Sequence, residues 1–220
     1  MKDFSKLLDL TKMDHFLRYC PKTPNVEKKD ILDYFAYRIF CLCEWFELDS
    51  MIADDYDYML PPYEDNPEIS AHPTYAGEYF GVMGQLFLGG MIDFGIEGEN
   101  LRKEWADLDT NLSKIDLGMS LYEKWIYFRD NFFYKKKFSR SYDEDRNNEE
   151  GYSVLYSCTS WDKPDDWSQY NILVALTPKG KQYLNETLAP KFYEKYKDVE
   201  IYLDDEGNII GSNADTAVKA

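Results

Sequence analysis

Two histidines, four cysteines and forty-one carboxylates are the side chains with which this 220-residue chain could do chemistry. His15, in Met13-Asp14-His15-Phe16, and His72, directly before Pro73, are its neutral-pH proton carriers, and neither has the spacing of a zinc-binding pair. Cys41 and Cys43 fall on a predicted helix. Two residues there are about 200° apart around the axis, so the thiols face opposite flanks and do not share one metal. Cys20 and Cys158 lack a Cys-x-x-Cys neighbour. Four cysteines in a chain of this size make no disulfide framework, and the expectation is inert thiols in a cytoplasmic protein. Glu97, Glu99 and Glu104 are spaced like surface charge rather than an acid–base pair. The runs Asp54-Asp55-Tyr56-Asp57 and Asp204-Asp205-Glu206-Gly207-Asn208 lack the terminal glutamate of a calcium loop and read as solvated turns. Neither a nucleophile elbow, a P-loop, a dinucleotide fingerprint nor a zincin helix occurs. The glycines at 77, 81, 84, 89 and 90 follow no predicted strand, so they make no phosphate cradle. The expectation is a non-enzyme with no catalytic residue, cofactor or metal.

The elements that would position any site are mostly helical. Ser5 to Leu17 reads as a first helix ended by Pro21 and Pro24, and Lys28 to Leu48 as a second, with Ile31, Phe35, Ile39, Leu42, Trp45 and Phe46 in one stripe. Asp54 to Pro73 is a loop rich in Asp, Pro, Asn and Tyr. Tyr75 to Phe94 reads as a buried helix whose Gly77, Gly81 and Gly84 would let another helix backbone approach. Asn100 to Leu108 and Ser120 to Phe138 follow as helices, and Ser141 to Gly151 as a polar loop. Tyr152 to Cys158 and Tyr170 to Leu176 read as strands, Lys179 to Lys197 as a helix bent at Pro190, and Val199–Leu203 with Asn208–Gly211 as a hairpin. The fold class expected is α+β, mainly α with a small antiparallel β component. Residues 1–73 would form N-terminal helices with the acidic loop, and 74–220 a helical core with the hairpins, unless 1–211 is one domain.

Residues 170–184 carry the sharpest local signal. The apolar run Ile172 to Leu176 leads into Thr177, a capping residue, and Pro178, at a first helical position that needs no N–H partner. This Leu-Thr-x-x-Gly stretch resembles the wing-to-helix junction of winged-helix proteins such as the MarR-type regulators. The resemblance covers about a tenth of the chain and implies a winged-helix-like C-terminal half, with the hairpin 152–176 as wing and Ser120 to Phe138 as recognition helix. DNA binding would then fall to Lys135, Lys136, Lys137 and Arg140. The sequence of that helix argues otherwise: Leu121, Trp125, Phe128 and Phe132 form the buried stripe, with Lys124, Arg129, Lys135 and Lys136 snorkelling beside it. The opposite face carries Glu123, Asp130, Tyr127, Asn131 and Tyr134, and the wing tip Asp162, Asp165 and Asp166 against Lys163.

Charge points the same way. The net charge is −16, and residues 61–118 hold eleven acidic against three basic side chains, whereas 119–150 hold seven of each. A polyanion repels nucleic acid. Nineteen tyrosines and five tryptophans supply side chains that pack on a partner with one edge wet. Met1 to Leu10 carries Asp3, Lys6 and Asp9 instead of an apolar signal core, and Tyr79 to Phe94 is too short to span a bilayer. The expected function is that of a cytoplasmic, bacterial or phage protein-binding protein, an inhibitor, immunity or regulatory factor, acting on a basic nucleic-acid-handling partner. Its expected surface is Tyr56, Tyr58, Tyr63, Glu64, Asp65 and Glu68. The alternative is a winged-helix transcriptional regulator on DNA. No membrane partner is expected, and oligomeric state is open.

Overall fold

The computed structural model describes residues 26–43, 76–96, 111–133, 160–167, 172–206 and 209–212. Its elements are α1 (Lys28–Leu42), α2 (Ala76–Leu88), β1 (Ile92–Ile96), α3 (Leu121–Phe132), β2 (Ile172–Leu176), α4 (Pro178–Tyr183), α5 (Ala189–Tyr196), β3 (Ile201–Leu203) and β4 (Ile209–Ser212). Among the described residues the class is α+β, with helices dominating two small antiparallel sheets. The chain divides into two compact units.

The first unit takes residues 26–39, 76–82 and 181–212. Phe35 and Ile39 of the expected α1 stripe are buried, together with Tyr34, Ala36 and Tyr37 beside them, while Ile31 is half-buried; Tyr79, Phe80, Val82, Leu188 and Phe192 are buried too. Phe35 meets Tyr79 edge-on with ring centroids 5.6 Å apart. At the margin of this core Asp30 accepts from Lys195 Nζ at 2.6 Å and from the Glu27 N–H at 2.7 Å. Asp33 receives Lys29 at 2.9 Å and Lys191 at 3.1 Å. Between α4 and α5 the helix widens into a π-helical turn over Leu184–Leu188, closed by the Ala189 N–H on the Leu184 carbonyl. Pro190 explains it: proline lacks the N–H of an ordinary turn and collides with the carbonyl four residues back, which a wider turn removes. The expected bend is thus a local change of helical pitch.

The second unit takes residues 40–43, 83–96, 111–133, 160–167 and 172–180. Its sheet pairs β1 with β2, Ile92 opposite Leu176 through Ile96 opposite Ile172. Here the expected long helix from Tyr75 to Phe94 is corrected. The helix ends at Leu88. Gly90, at φ 67°, donates its N–H to Phe87 O, while the Met91 N–H reaches Leu86 O at 2.8 Å. That left-handed closure is glycine's, and the chain leaves it extended. The close approach expected at three glycines also takes another form. A Cβ would meet nothing within 4 Å at Gly77 or Gly81, while at Gly84 it would overlap the Trp125 indole. A flat side chain, rather than a second backbone, uses the notch. Around it Phe87, Phe94, Trp125, Phe128, Phe132, Phe133, Trp161 and Trp167 are all buried, with Phe94 and Phe128 at 4.5 Å and Phe128 and Phe132 at 5.3 Å.

The Leu-Thr-x-x-Gly junction locks this sheet to the turn after α2. Thr177 accepts the Gly180 N–H on its hydroxyl at 3.1 Å, as an N-cap should. The hydroxyl is also within 2.8 Å of Gly90 O and 3.0 Å of Met91 O, and the Thr177 N–H donates to Met91 O at 3.1 Å. Lys179 Nζ adds a bond to Gly89 O at 2.7 Å.

Candidate functional site

The outer face of α3 is the surface on which chemistry, charge and exposure converge. The helix begins at Ser120, whose hydroxyl accepts the Glu123 N–H at 3.3 Å while Glu123 Oε2 accepts the Ser120 N–H at 2.8 Å. This capping box satisfies donors at the helix start from within. Hydrogen bonds from the Ser120 hydroxyl and N–H hold the Glu123 carboxyl below its usual range. A carboxylate therefore already sits where the helix end would attract a phosphate.

The buried side of α3 is set by Trp125, Phe128 and Phe132, as its stripe predicts. Lys124 departs from expectation. Instead of snorkelling to water it is buried, donating to the carbonyls of Ser113 (3.0 Å) and Ile115. Asp93 on β1, also buried, accepts from the Ser113 N–H at 3.2 Å, from the Ser113 hydroxyl and from the Phe94 N–H at 2.9 Å. Leu112 N–H donates to Phe94 O at 2.8 Å. Together these bonds fix the segment 111–118 that delivers the chain to Ser120. Buried charges satisfied by several bonds are structural members here.

The remaining side chains look outward. Glu123, Tyr127 and Asp130 share one side at spacings of four and three. Glu123 and Asp130 are exposed, Tyr127 half-buried. The Arg129 guanidinium meets Asp130 at 2.7 Å, so the two charges of this pair offset each other on the face. The turn at 160–167 completes the surface. Trp167 Nε1 donates to Ser160 O at 3.0 Å and closes it, and the Trp161 and Trp167 rings meet edge-on at 5.5 Å. Tyr127 stands perpendicular to Trp167 at 5.6 Å and donates its hydroxyl to Trp161 O at 3.1 Å. Burial raises the Tyr127 phenol above its ordinary value, and the carboxylates of Asp162 and Asp165 raise it further. Asp162 is held below its usual range by the Ser160 hydroxyl. At the N-terminal end of the helix Met119 is 38% and Tyr122 61% exposed.

The arrangement is thus an acidic rim of Glu123, Asp162 and Asp165 around aromatic groups, with the Arg129–Asp130 pair beside it and Lys163 as an exposed cation in the turn. It offers a partner carboxylates, an exposed phenol and a thioether. Sequence reasoning placed Glu123, Tyr127 and Asp130 on the outer face of the helix and Asp162 and Asp165 at a wing tip, and missed Met119 and Tyr122; the Ser-x-x-Glu capping box, which exposes the residues at its start, was the signal for them. The expected partner-binding residues Tyr56, Tyr58, Tyr63, Glu64, Asp65 and Glu68 lie outside the described residues. So do Lys135, Lys136, Lys137 and Arg140, and both histidines. Cys43 is buried. Among the described residues no group of three or more His, Cys, Asp or Glu side chains could hold a metal ion, and no helix is long and apolar enough to cross a membrane. No protein-family model, curated protein or solved structure matches the chain.

Proposed function

We propose that this chain is a protein-binding protein, an inhibitor or regulatory factor, that engages a basic partner through the outer face of α3 and the 160–167 turn. The observation that carries the reading is the charge on that face. Glu123 and Asp130 look outward, Asp162 and Asp165 flank Tyr127, and the start of α3 is closed by its own carboxylate. A helix so decorated repels phosphate, whereas Lys and Arg side chains of a protein find both charge and aromatic surface there. The scaffold reading is winged-helix-like: α3 precedes β2, which passes through Thr177 into α4, in the order the Leu-Thr-x-x-Gly resemblance implies. DNA binding through that scaffold is the competing reading.

One experiment separates them. The full chain and a Glu123→Lys/Asp130→Lys variant are presented at low salt to labelled genomic DNA fragments and to a panel of purified basic nucleases and nucleic-acid-binding proteins. The proposal expects saturable one-to-one binding of a panel member, weakened by salt and by the variant, with no shift of DNA. A DNA shift by the native chain, or partner binding indifferent to the variant, overturns it.

A further inference from the structure

The β3–β4 hairpin carries a second feature that the α3 face does not explain. Its register runs Ile201 opposite Ser212 and Tyr202 opposite Gly211, then slips so that Leu203 faces Ile209. Ile210 is therefore the extra residue of a bulge, and bulges re-aim side chains. It is aimed into water: Ile210 is 67% exposed, the most exposed large apolar side chain among the described residues, and Tyr202 is 45% exposed. A two-stranded ribbon by itself is marginal in water and gains from a third strand. Among the described residues, β3 and β4 pair only with each other.

The charge around the ribbon selects what that third strand can be. Five carboxylates and no basic side chain lie between Asp198 and Ser212. Asp198, Glu200, Asp205 and Glu206 are exposed. A second copy of this chain would set the same carboxylates against each other, which is how edge strands are protected from self-pairing. An extended segment alternating basic and apolar residues meets neither obstacle. We propose that this hairpin is a docking edge for such a basic extended segment of a partner protein, held by backbone hydrogen bonds along the ribbon, by apolar contact with Ile210 and Tyr202, and by the surrounding carboxylates.

The test uses the full chain and a fluorescein-labelled peptide of alternating lysine and valine, read by anisotropy. A twin peptide carries N-methyl groups on the backbone amides that would bond the ribbon, at unchanged charge. The proposal expects the Ile210→Ser variant to bind the first peptide more weakly by about tenfold, the loss of one central apolar anchor. The N-methylated twin should bind as weakly to the native chain, and amide resonances at 201–203 and 209–212 should shift with the first peptide alone. Because Ile210 is exposed, the variant keeps the native fold, which circular dichroism checks. In the Glu123→Lys/Asp130→Lys variant the amide shifts at 201–203 and 209–212 on adding the first peptide should persist, whatever peptide the α3 face itself holds, so this proposal and the α3 reading fail separately. Equal binding of both peptides, indifference to Ile210→Ser, or self-association through the hairpin in sedimentation overturns it.

Discussion

Replacing Gly180 with alanine sets two physical effects against each other, and the structure decides the sign. Gly180 lies in the first turn of α4, where alanine's helix propensity alone would stabilise by up to about 1 kcal/mol. The structure places the Met91 carbonyl oxygen where the new methyl group would sit, with Leu176 Cδ1 2.7 Å away. The leucine tip can turn aside. The carbonyl cannot, because it accepts the Thr177 N–H at 3.1 Å and lies 3.0 Å from the Thr177 hydroxyl, and moving it strains both. Overpacking of this kind costs about 1–3 kcal/mol, and a weakened hydrogen bond adds roughly 0.5–1.5 kcal/mol. Net of propensity, Gly180→Ala should destabilise by about 2 kcal/mol. Urea unfolding followed by tryptophan fluorescence reads this as a lower midpoint at unchanged slope, with Trp125, Trp161 and Trp167 reporting from the same unit. Gly77→Ala is the matched control, since nothing lies within 4 Å of a Cβ there and propensity should prevail. If Gly180→Ala proves neutral or stabilising while Gly77→Ala stabilises, the close approach at Met91 is wrong.

Three further outcomes are expected. Lys124→Met keeps the aliphatic stem but leaves the carbonyls of Ser113 and Ile115 without their donor, so it should cost about 2 kcal/mol and speed hydrogen exchange at Leu112. Ser120→Ala removes the cap of α3 and should cost about 1 kcal/mol, read by the same urea titration. Burial pushes the Asp30 carboxyl up, but the hydrogen bonds from Lys195 and the Glu27 N–H outweigh it and hold it below its ordinary value. The stability it contributes is therefore complete above the unfolded carboxylate range and is lost as pH falls through the lowered folded value. Asp30→Asn should flatten that acid limb of the stability–pH curve; a limb of unchanged slope would rule out this ion pair as its source.

Much of the fold was legible where local signals agreed. The existence of α1, the Thr177-Pro178 start of α4 and the C-terminal hairpin follow from periodicity, capping and turn chemistry. The error at β1 has a definite origin. Tyr79 to Phe94 is one apolar run, and a buried strand cannot be told from a buried helix by periodicity alone. Gly89-Gly90 was the decisive punctuation, because a left-handed closure there ends the helix. Lys124 was illegible for another reason: its partners are backbone carbonyls of Ser113 and Ile115, and only the tertiary fold brings them to it. The α3 face was half legible. Helical spacing gave Glu123 and Asp130, but the approach of Asp162 and Asp165 to Tyr127 depends on its docking against the tryptophan turn.

The clasp between Thr177 and the Gly90–Met91 turn joins positions 87 residues apart in the chain. During synthesis β1 therefore leaves the ribosome long before its only described partner strand exists. Ile92, Phe94 and Ile96 wait for that strand, and at about 5–20 residues per second the interval lasts several seconds. Closing so long a loop is entropically slow, and the waiting strand is open to other chains meanwhile. Folding yield, more than equilibrium stability, is where this topology exposes the protein to a crowded cell.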